Sequence, residues 1–253
     1  MTEADFSGKT ILVTGGSRGI GRAAAVRLGN EGARVAVNFV ANQDAATVAV
    51  SDIEASGGTA VAIRGDVSSP DEAQQIVEQT RKAFGPIDCL VHSAGISIAE
   101  PASQVTWKTW KKTMDVNLDG TFNMVYAVKD EMIDQQFGRI VLLSSIAGLR
   151  KRENQVHYSA SKAAVIALAR CCAQAWAKHN IRINCICPGL IDTAMARALS
   201  PEAQRYVIET TPMKRLGRPE EIAALIRFLL SEESSYMTGQ TVVASGGRVM
   251  LPG

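Results

Sequence analysis

The chain has 253 residues, 46% of them hydrophobic, and its 27 basic residues nearly balance 25 acidic ones to leave a net charge of +2. A chain of this size and composition can bury a sizeable core as one α/β domain. Interspersed charges without a basic stripe exclude nucleic acid and a membrane surface as expected partners, and no apolar stretch approaches the roughly 20 residues of a membrane-spanning helix.

The polar start of the chain and the spacing of its cysteines and histidines predict a metal-free cytoplasmic protein. The first ten residues, MTEADFSGKT, lack the basic start and apolar run of a signal peptide. No cysteine or histidine falls at metal-ligand spacing, and we expect the cysteines to be buried as small apolar side chains. These residues are Cys89, Cys171, Cys172, Cys185, Cys187, His92, His157 and His179.

Seven short β-branched runs alternate with longer helical patterns along the chain. Strands are predicted over 9–14, 33–39, 59–65, 88–93, 138–145, 181–187 and 240–244. Several are apolar on both faces, which is typical of buried parallel strands. Helices are predicted over 20–31, 45–56, 70–84, 113–136 and 156–178. The alternation predicts a doubly wound parallel α/β sheet with helices on both faces, formed by residues 1–253 as a single domain.

An irregular stretch over about 189–219 contains short helical pieces that Pro201 and Pro212 interrupt. In doubly wound folds, ligands bind beyond the carboxyl ends of the strands. We therefore expect this stretch to cover a ligand site at that edge of the sheet.

The first strand runs into a glycine-rich loop over 14–21, TGGSRGIG, and a helix follows at once. Gly15, Gly19 and Gly21 allow a tight turn and let backbone N–H groups approach a pyrophosphate at the helix N-terminus. Their order is G-x-x-x-G-x-G, whereas many dinucleotide folds have G-x-G-x-x-G. Packing alone could explain one glycine, but three between the first strand and the first helix favour a dinucleotide site.

The end of the second strand indicates which dinucleotide is preferred. An Asp or Glu there would bind the ribose 2′-hydroxyl of NAD, but this sequence has Asn38 and Phe39. Arg18 lies inside the glycine loop, where its guanidinium could meet a 2′-phosphate, although it could also be a solvated loop residue. The missing acid and the added base favour NADP(H) over NAD(H).

Tyr158 and Lys162 lie four residues apart in the predicted helix over 156–178. Residues at this spacing are neighbours on one helix face, so the phenol and the ammonium can lie side by side. A solvated helix surface could show the same pair. The meaning of the pair therefore depends on the rest of the chain.

Motifs in chain order supply that context. TGGSRGIG, HSAG, NLDGTF, LLSS, YSASK, PGLIDT, RLGRPEEIA and MTGQ follow one another on the expected elements. In this order they resemble the short-chain dehydrogenase/reductase superfamily over almost the whole length, which implies a Rossmann-type fold. The resemblance, with the loop and strand positions above, assigns cofactor binding to Gly15, Ser17, Arg18, Gly19, Ile20, Gly21, Asn38, Phe39, Asp66, Val67, Ser93, Ala94, Gly95, Tyr158, Lys162, Pro188, Gly189, Ile191 and Thr193.

The same resemblance assigns the catalytic roles. It makes Tyr158 the acid/base, Lys162 its helper and a holder of the nicotinamide ribose, and Ser145 the residue that orients the carbonyl. It gives Asn117 a water that relays protons to the lysine, and it places Thr193 against the nicotinamide carboxamide. A phenol pKa of about 10 suits proton transfer at neutral pH poorly. We expect the neighbouring cation and an oxidised nicotinamide ring to lower it.

Two polar residues near this group have structural interpretations. Asn117 stands in an otherwise apolar helix, where its amide could simply bond back to a carbonyl of the preceding turn. Ser144 precedes Ser145, so in a regular strand it points to the opposite face, and we interpret it as structural.

The implied reaction interconverts a ketone and a secondary alcohol by hydride transfer with NADP(H). The related enoyl reductases place the lysine seven residues after the tyrosine, and the spacing of four here favours a carbonyl over an activated double bond. The default substrate is a 3-oxoacyl thioester of acyl carrier protein or CoA. The alternatives are a free ketone, a sugar or a steroid-like alcohol, and, in another class, a non-catalytic protein that senses NADP(H).

Some segments depart from the pattern of the superfamily. Ser93 replaces an asparagine that braces the central sheet, and VVASGG replaces the usual V-D-G-G. Residues 150–152, Arg-Lys-Arg, form a basic run that is either a solvated loop or a device that steers an anionic substrate. Residues 130–136, DEMIDQQ, supply acids and amides where carrier docking would need bases, so docking stays open. The resemblance also implies a homodimer or homotetramer through the helices over 113–136 and 156–178.

Overall fold

All seven predicted strands form and lie parallel in one sheet. The computed structural model describes residues 6–250. The strands are β1 Thr10–Thr14, β2 Arg34–Phe39, β3 Thr59–Arg64, β4 Cys89–His92, β5 Gly138–Leu143, β6 Ile181–Pro188 and β7 Thr241–Ala244. Their order is β3-β2-β1-β4-β5-β6-β7, and helices cover both faces, so the predicted doubly wound α/β fold is confirmed.

The helices fall between the strands in chain order. They are α1 Gly19–Asn30, α2 Gln43–Ala55, α3 Pro70–Phe84, α4 Trp107–Met114, α5 Gly120–Asp134, α6 Val156–Trp176, α7 Ala194–Arg197, α8 Pro201–Glu209 and α9 Pro219–Leu230. The short helices α7 and α8 are the helical pieces expected in the covering stretch. Within residues 6–250, no helix is both long enough and apolar enough to cross a membrane. The polar start of the chain falls largely on residues 1–5, outside the described range.

The strand order reverses at β1, and this reversal places the site. Leu12 of β1 is in register with Ala36 of β2 on one side and with Leu90 of β4 on the other. The chain builds outward from β1 to β3, then returns and builds outward again from β4 to β7. A crevice therefore opens beyond the carboxyl ends of β1 and β4, where doubly wound folds bind their ligands.

Alternate residues of the central strands enter two separate cores. In β1, Ile11 and Val13 pack with α1, α2 and α9, whereas Leu12 packs with α3, α5 and α6. All three side chains are fully buried. Burying one such side chain contributes about 1.5–3 kcal/mol, so both faces hold the strand ends in place around the crevice.

Two helices differ from the sequence-based expectation. The helix predicted over 113–136 begins earlier, at Trp107, and is interrupted by a π-helical turn over Asp115–Asp119. Such turns change which face a side chain occupies and are frequent at functional sites. The second difference is α9, which the sequence reading did not assign although its start carries Pro219 and the acidic Glu220 and Glu221. These are ordinary N-terminal helix signals.

Candidate active site

The glycine loop forms a cradle between the end of β1 and the start of α1. Gly15 has φ +61°, and a Cβ there would lie 2.9 Å from the backbone nitrogen of Ala94. Gly19 also has positive φ, +55°. Because only glycine fits at Gly15, backbone atoms from β1 and from the segment after β4 approach each other closely at the mouth of the crevice. This shape suits the pyrophosphate of a dinucleotide.

The other predicted loop residues surround this cradle. Arg18 is exposed, has extended backbone and immediately precedes α1, and its side chain makes no capping bond. Ser17 is buried, Ile20 is half-buried and Gly21 is buried within the helix. The positive end of α1 therefore lies beside a free-standing guanidinium, an arrangement that favours an anion.

Asn38 and Phe39 end β2, and both are buried. The Asn38 amide nitrogen donates to the carbonyl oxygens of Ile63 and Gly65 at 3.2 and 3.0 Å. Its side chain therefore braces β2 against the end of β3. Sequence reasoning gave Asn38 a cofactor-binding role, and the structure shows that its amide nitrogen is already used within the sheet.

Asp66 and Val67 lie just beyond β3, at the same edge of the sheet. One Asp66 carboxylate oxygen accepts from the backbone and hydroxyl of Ser68 at 2.9 and 2.7 Å. The Val67 side chain is buried, and its carbonyl accepts from the Asn123 amide at 3.0 Å. These bonds hold the turn after β3 next to α5.

His92, at the end of β4, joins the two strands that flank the crevice. Its Nδ1 lies 2.9 Å from the hydroxyl oxygen of Thr14, which ends β1. Burial, aided by the charge of Lys162, lowers the pKa of His92 to about 3, so the ring is neutral at ordinary pH. Ser93 adds no side-chain brace: among residues 6–250 no hydrogen bond uses its hydroxyl, its backbone nitrogen donates to the Thr14 carbonyl at 3.2 Å, and the side-chain link between β1 and β4 is the one from His92 to Thr14.

Lys162 is buried on α6, and its ammonium donates to the carbonyl of Leu143 at 2.8 Å. The ammonium lies 5.9 Å from the ring centroid of Tyr158. Burial lowers the pKa of Lys162 to about 8. A Cβ on Gly95 would lie 3.3 Å from the ammonium, so the lysine reaches the segment after β4 that also meets the glycine cradle.

Asn117 occupies the π-helical turn and is fully buried. Its amide oxygen accepts from the backbone nitrogen of Ile96 at 2.8 Å, and its amide nitrogen donates to the Ile96 carbonyl at 3.0 Å and to the Ser161 hydroxyl at 3.1 Å. It therefore does not bond back to its own helix. Instead it ties the segment after β4 to α6, one residue from Lys162.

Tyr158 lies in the first turn of α6, and Ser145 follows the end of β5. The Ser145 oxygen accepts from the backbone nitrogen of Ala147 at 3.1 Å. Burial raises the pKa of Tyr158, while the Ser145 hydroxyl and the charge of Arg152 act to lower it. The net direction is upward because burial outweighs these effects, whereas the lowering expected from the sequence was assigned to Lys162 together with an oxidised nicotinamide ring.

Ser144 and the two cysteines of β6, Cys185 and Cys187, lie next to Lys162 on the side of the sheet. The Ser144 hydroxyl donates to the carbonyl of Lys162 at 2.7 Å, which agrees with its structural interpretation. A hydrogen bond with Cys185 lowers the pKa of Cys187, with the Lys162 charge acting in the same direction. Both thiols are buried, as expected. Cys171 on α6 is exposed, so the expectation of burial was wrong for that residue. Nothing in the sequence marked Cys187 as a neighbour of the lysine.

The covering stretch begins where β6 ends. Pro188 closes β6, and Gly189 donates from its backbone to the end of β7 at 2.9 Å. Ile191 is buried and forms an isolated parallel bridge with Gly217, so the two ends of the covering stretch lie side by side. Thr193 precedes α7, and its hydroxyl donates to the Ile191 carbonyl at 3.3 Å.

The structure thus gathers the predicted residues around one crevice. The glycine loop, the segment after β4, the end of β5, the start of α6 and the covering stretch all meet there. Within residues 6–250, no group of His, Cys, Asp or Glu side chains is arranged to hold a metal ion. Sequence reasoning missed His92 and Cys187, because their positions beside the site depend on neighbours far away in the chain.

A parallel sheet that reverses its order above a glycine cradle, with a half-buried tyrosine and a buried lysine beside it, is the architecture of oxidoreductases that use a nicotinamide dinucleotide. A family model described as enoyl-(acyl carrier protein) reductase matches residues 15–248. The chain belongs to this family of short-chain dehydrogenases/reductases.

Individual relatives span nearly the whole chain. The 3-oxoacyl-[acyl-carrier-protein] reductase FabG of Staphylococcus epidermidis is 38% identical over 242 residues, covering 96% of this chain and 99% of that protein. The L-rhamnose 1-dehydrogenase (NAD(P)(+)) of a Sphingomonas species is 40% identical over 245 residues, covering 96% of each. The crystal structure of a short-chain type dehydrogenase/reductase from Mycobacterium marinum matches with a TM-score of 0.93 and 35% identity over 98% of both chains.

Proposed function

We propose that the protein is an NADP(H)-dependent oxidoreductase that interconverts a ketone and a secondary alcohol. The observation that carries this proposal is the convergence of Ser145, Tyr158 and Lys162 beside the glycine cradle. Similarity to the 3-oxoacyl-[acyl-carrier-protein] reductase makes a 3-oxoacyl thioester, on acyl carrier protein or on CoA, the first substrate to test. Similarity to the rhamnose dehydrogenase favours a free sugar as the second candidate.

The residues around the crevice fit a dinucleotide. The cradle at Gly15 is too tight for a side chain, which leaves backbone N–H groups to hold the pyrophosphate. Asp66 and Val67 would bind the adenine, Thr193 the carboxamide, and Arg18 the 2′-phosphate. When bound, the cofactor supplies or accepts the hydride at the substrate carbon. Arg18 forms no ion pair with another described residue, so its charge remains available to that phosphate.

Tyr158 and Ser145 would act together on the carbonyl oxygen. Because burial raises the pKa of Tyr158, the phenol is protonated at neutral pH and can donate its proton as the carbonyl becomes an alcohol. The Ser145 oxygen already accepts from Ala147, which leaves its own hydroxyl proton free to donate to the same oxygen. In the reverse direction the same two groups hold the alcohol while Tyr158 takes its proton.

Lys162 and Asn117 would stabilise the phenolate of Tyr158 and help return its proton. A buried ammonium with a pKa of about 8 is charged at neutral pH and favours the phenolate left after proton transfer. Asn117 fixes the segment after β4 through its two bonds to Ile96, and it lies within reach of the same lysine. A water held between the two side chains would return a proton to Tyr158.

The direct test is turnover of reduced nicotinamide against a panel of ketones that includes a 3-oxoacyl thioester. We expect NADPH-dependent activity that falls by about 10² to 10⁴ in Tyr158→Phe, because general acid catalysis is lost. Tyr236→Phe, at a fully exposed tyrosine, is the matched control and should keep wild-type activity. Tight NADPH binding without turnover of any ketone or alcohol would instead favour the non-catalytic sensor.

The cofactor preference has its own test. We expect Arg18→Ser to lower the ratio of kcat/KM for NADPH to that for NADH by at least about tenfold, since a charge-assisted contact to the 2′-phosphate is lost. Arg205→Ser, at an exposed arginine of α8, controls for loss of a surface charge. An unchanged ratio in Arg18→Ser would show that the loop arginine does not read the 2′-phosphate.

The protein is also proposed to form a homodimer or homotetramer through α5 and α6. Phe122 and Tyr126 are exposed on α5 and stack on each other with ring centroids 4.1 Å apart, and Trp176 of α6 meets Tyr126 edge-on at 5.7 Å. An exposed aromatic cluster of this kind suits a two-fold contact between identical helices. A single monomer peak in light scattering would rule the assembly out.

A further inference from the structure

The basic run at 150–152 has one member that is held in a fixed orientation. Arg152 is half-buried, and its Nε donates to the side-chain oxygen of Gln155 at 3.0 Å. The Gln155 amide nitrogen in turn donates to the Ser97 hydroxyl at 2.7 Å, which anchors the loop to the segment after β4. The two terminal amino groups of Arg152 bond to no other described residue, whereas the neighbouring Lys151 is exposed.

Arg248 contributes a second guanidinium from the segment after β7. Its Nη1 donates to the Val207 carbonyl at 2.8 Å and to the hydroxyls of Thr210 and Thr211 at 2.6 and 3.3 Å, all at the end of α8. Its carbon Cζ lies 6.0 Å from the ring centroid of Tyr206. The Nε atom of Arg248 is buried and has no hydrogen-bond partner among the described residues.

Arg150, Arg152 and Arg248 come from two segments that border the same core: Leu149 before the basic run and Val249 after Arg248 both pack against the core beneath α3, α5 and α6. The charges of Arg150 and Arg152 both lower the pKa of Arg248, after the larger effect of its burial, and Arg150 also lowers the pKa of Arg152. In the described part of the chain no carboxylate forms an ion pair with any of the three. Glu100 lies beside this loop, since its backbone nitrogen donates to the Asn154 carbonyl at 3.0 Å, but it pairs with none of them.

This group of arginines, Arg150, Arg152 and Arg248, lies at the proposed reaction centre rather than on a remote surface. The charge of Arg152 lowers the pKa of Tyr158, and Tyr158 acts reciprocally on Arg152. The loop that carries Arg152 joins Ser145 to Tyr158 directly. Like charges on neighbouring segments beside a reacting group repel one another, and a bound anion would offset that repulsion.

We propose that Arg150, Arg152 and Arg248 form an anion-binding subsite, and that the substrate is a ketone or secondary alcohol that carries a carboxylate or a phosphate. This inference rests on the proposed function and deepens it by naming the substrate class. Arg152 supplies two unbonded amino groups in the planar fork that matches either anion. Arg248 faces it from the C-terminal segment, so the substrate would lie between the two loops with its carbonyl toward Tyr158.

The test uses pairs of ketones that differ only in the anion. 3-Oxobutanoate is compared with its methyl ester, and dihydroxyacetone phosphate with dihydroxyacetone. We expect wild-type kcat/KM to be higher for at least one anion than for its neutral partner, and the pair that shows this difference distinguishes carboxylate from phosphate. In Arg152→Gln we expect that anion to lose at least about tenfold more in kcat/KM than its neutral partner, mainly through KM, because any effect of Arg152 on Tyr158 is common to both substrates.

Lys151→Gln is the matched control, because it removes the same charge from the adjacent exposed position. It should change neither member of the pair by more than about twofold. Equal effects of Lys151→Gln and Arg152→Gln would mean general electrostatic steering and would overturn the subsite. No preference for either anion over its neutral partner would overturn it as well.

A binding measurement separates this inference from the proposed function. Malonate is titrated calorimetrically into wild type, Arg152→Gln and Arg248→Gln, each saturated with NADP⁺ and each checked for a native circular dichroism spectrum. Binding that is lost in both variants supports the subsite even if no ketone turns over, in which case only the proposed function has failed. Absent binding to wild type, or equal binding to all three proteins, would overturn the subsite even if neutral ketones are reduced through Tyr158.

Discussion

Acid should destabilise this protein through His92, the buried ring that links β4 to β1. Burial lowers the pKa of His92 from 6.5 to about 3 in the folded chain. The unfolded state therefore binds more protons between these two values, and stability falls as the pH drops from about 6.5 toward 3. We expect His92→Asn to remove this pH dependence, because an amide can still bond the Thr14 hydroxyl but does not titrate.

The magnitude follows from the two pKa values. Between about pH 7 and pH 4.5 the single group costs about 2 to 3 kcal/mol of folding free energy, on the order of a fifth to a half of the stability of a typical domain. Any folded pKa below about 4 gives nearly the same loss at pH 4.5, since the ring is then almost wholly neutral in the folded state and charged in the unfolded state. The carboxyl groups contribute equally to both proteins, so they cancel when wild type and variant are compared.

The assay is urea unfolding at a series of pH values, with the free energy of unfolding of wild type compared with that of His92→Asn. The wild-type curve should fall more steeply by about 1.4 kcal/mol per pH unit below pH 6. His179→Asn, which replaces a ring that contacts Gln136 near the surface, should keep the wild-type steepness because His92 remains. Parallel curves for wild type and His92→Asn down to pH 4.5 would refute the reasoning.

Three further substitutions test the packing around the crevice. Gly15→Ala should abolish measurable NADPH binding and lower the urea midpoint, because the new Cβ would lie 2.9 Å from the Ala94 nitrogen at a positive φ; a variant that binds NADPH normally would contradict the cradle. Ser144→Ala should cost about 1 kcal/mol in urea unfolding through loss of its bond to the Lys162 carbonyl, and a neutral result would mean that this bond is dispensable. Leu12→Ala should cost about 2–5 kcal/mol by opening a cavity in the core, and a loss below about 1 kcal/mol would argue against its full burial.

The strands were predictable because their signal is local. Runs such as those of β1 and β5 are apolar on both faces, and that pattern survives any particular arrangement of neighbours. The helix α9 was not predicted, although Pro219 and Glu221 at its start are local helix signals that the sequence carries. The π-helical turn at Asn117 could not be predicted, because it depends on the bonds that Asn117 makes to Ile96 across the crevice.

In the candidate site, too, some features could be predicted from local sequence and others depend on the packed structure. The spacing and context of Tyr158 and Lys162 made them candidates for the site, but the direction of the Tyr158 pKa could not be predicted, because burial is a property of the packed molecule. Asn38 has the right position for a cofactor ligand, but the nearby carbonyls of β3 engage its amide nitrogen. The role of a polar side chain depends on which partners the fold brings within hydrogen-bonding distance.

By itself, the sequence predicted the doubly wound fold, the glycine loop and a candidate tyrosine, lysine and serine, because strand runs, loop glycines and motif spacings are local patterns. Only the tertiary structure decided the charge states of those residues and which side chains surround them. His92 is neutral because two strands enclose it, and the charge of Arg152 acts on Arg248 because the fold packs the segments that follow β5 and β7 on one core. Burial and long-range electrostatics act through space, so they become visible only when the distant segments have been packed together.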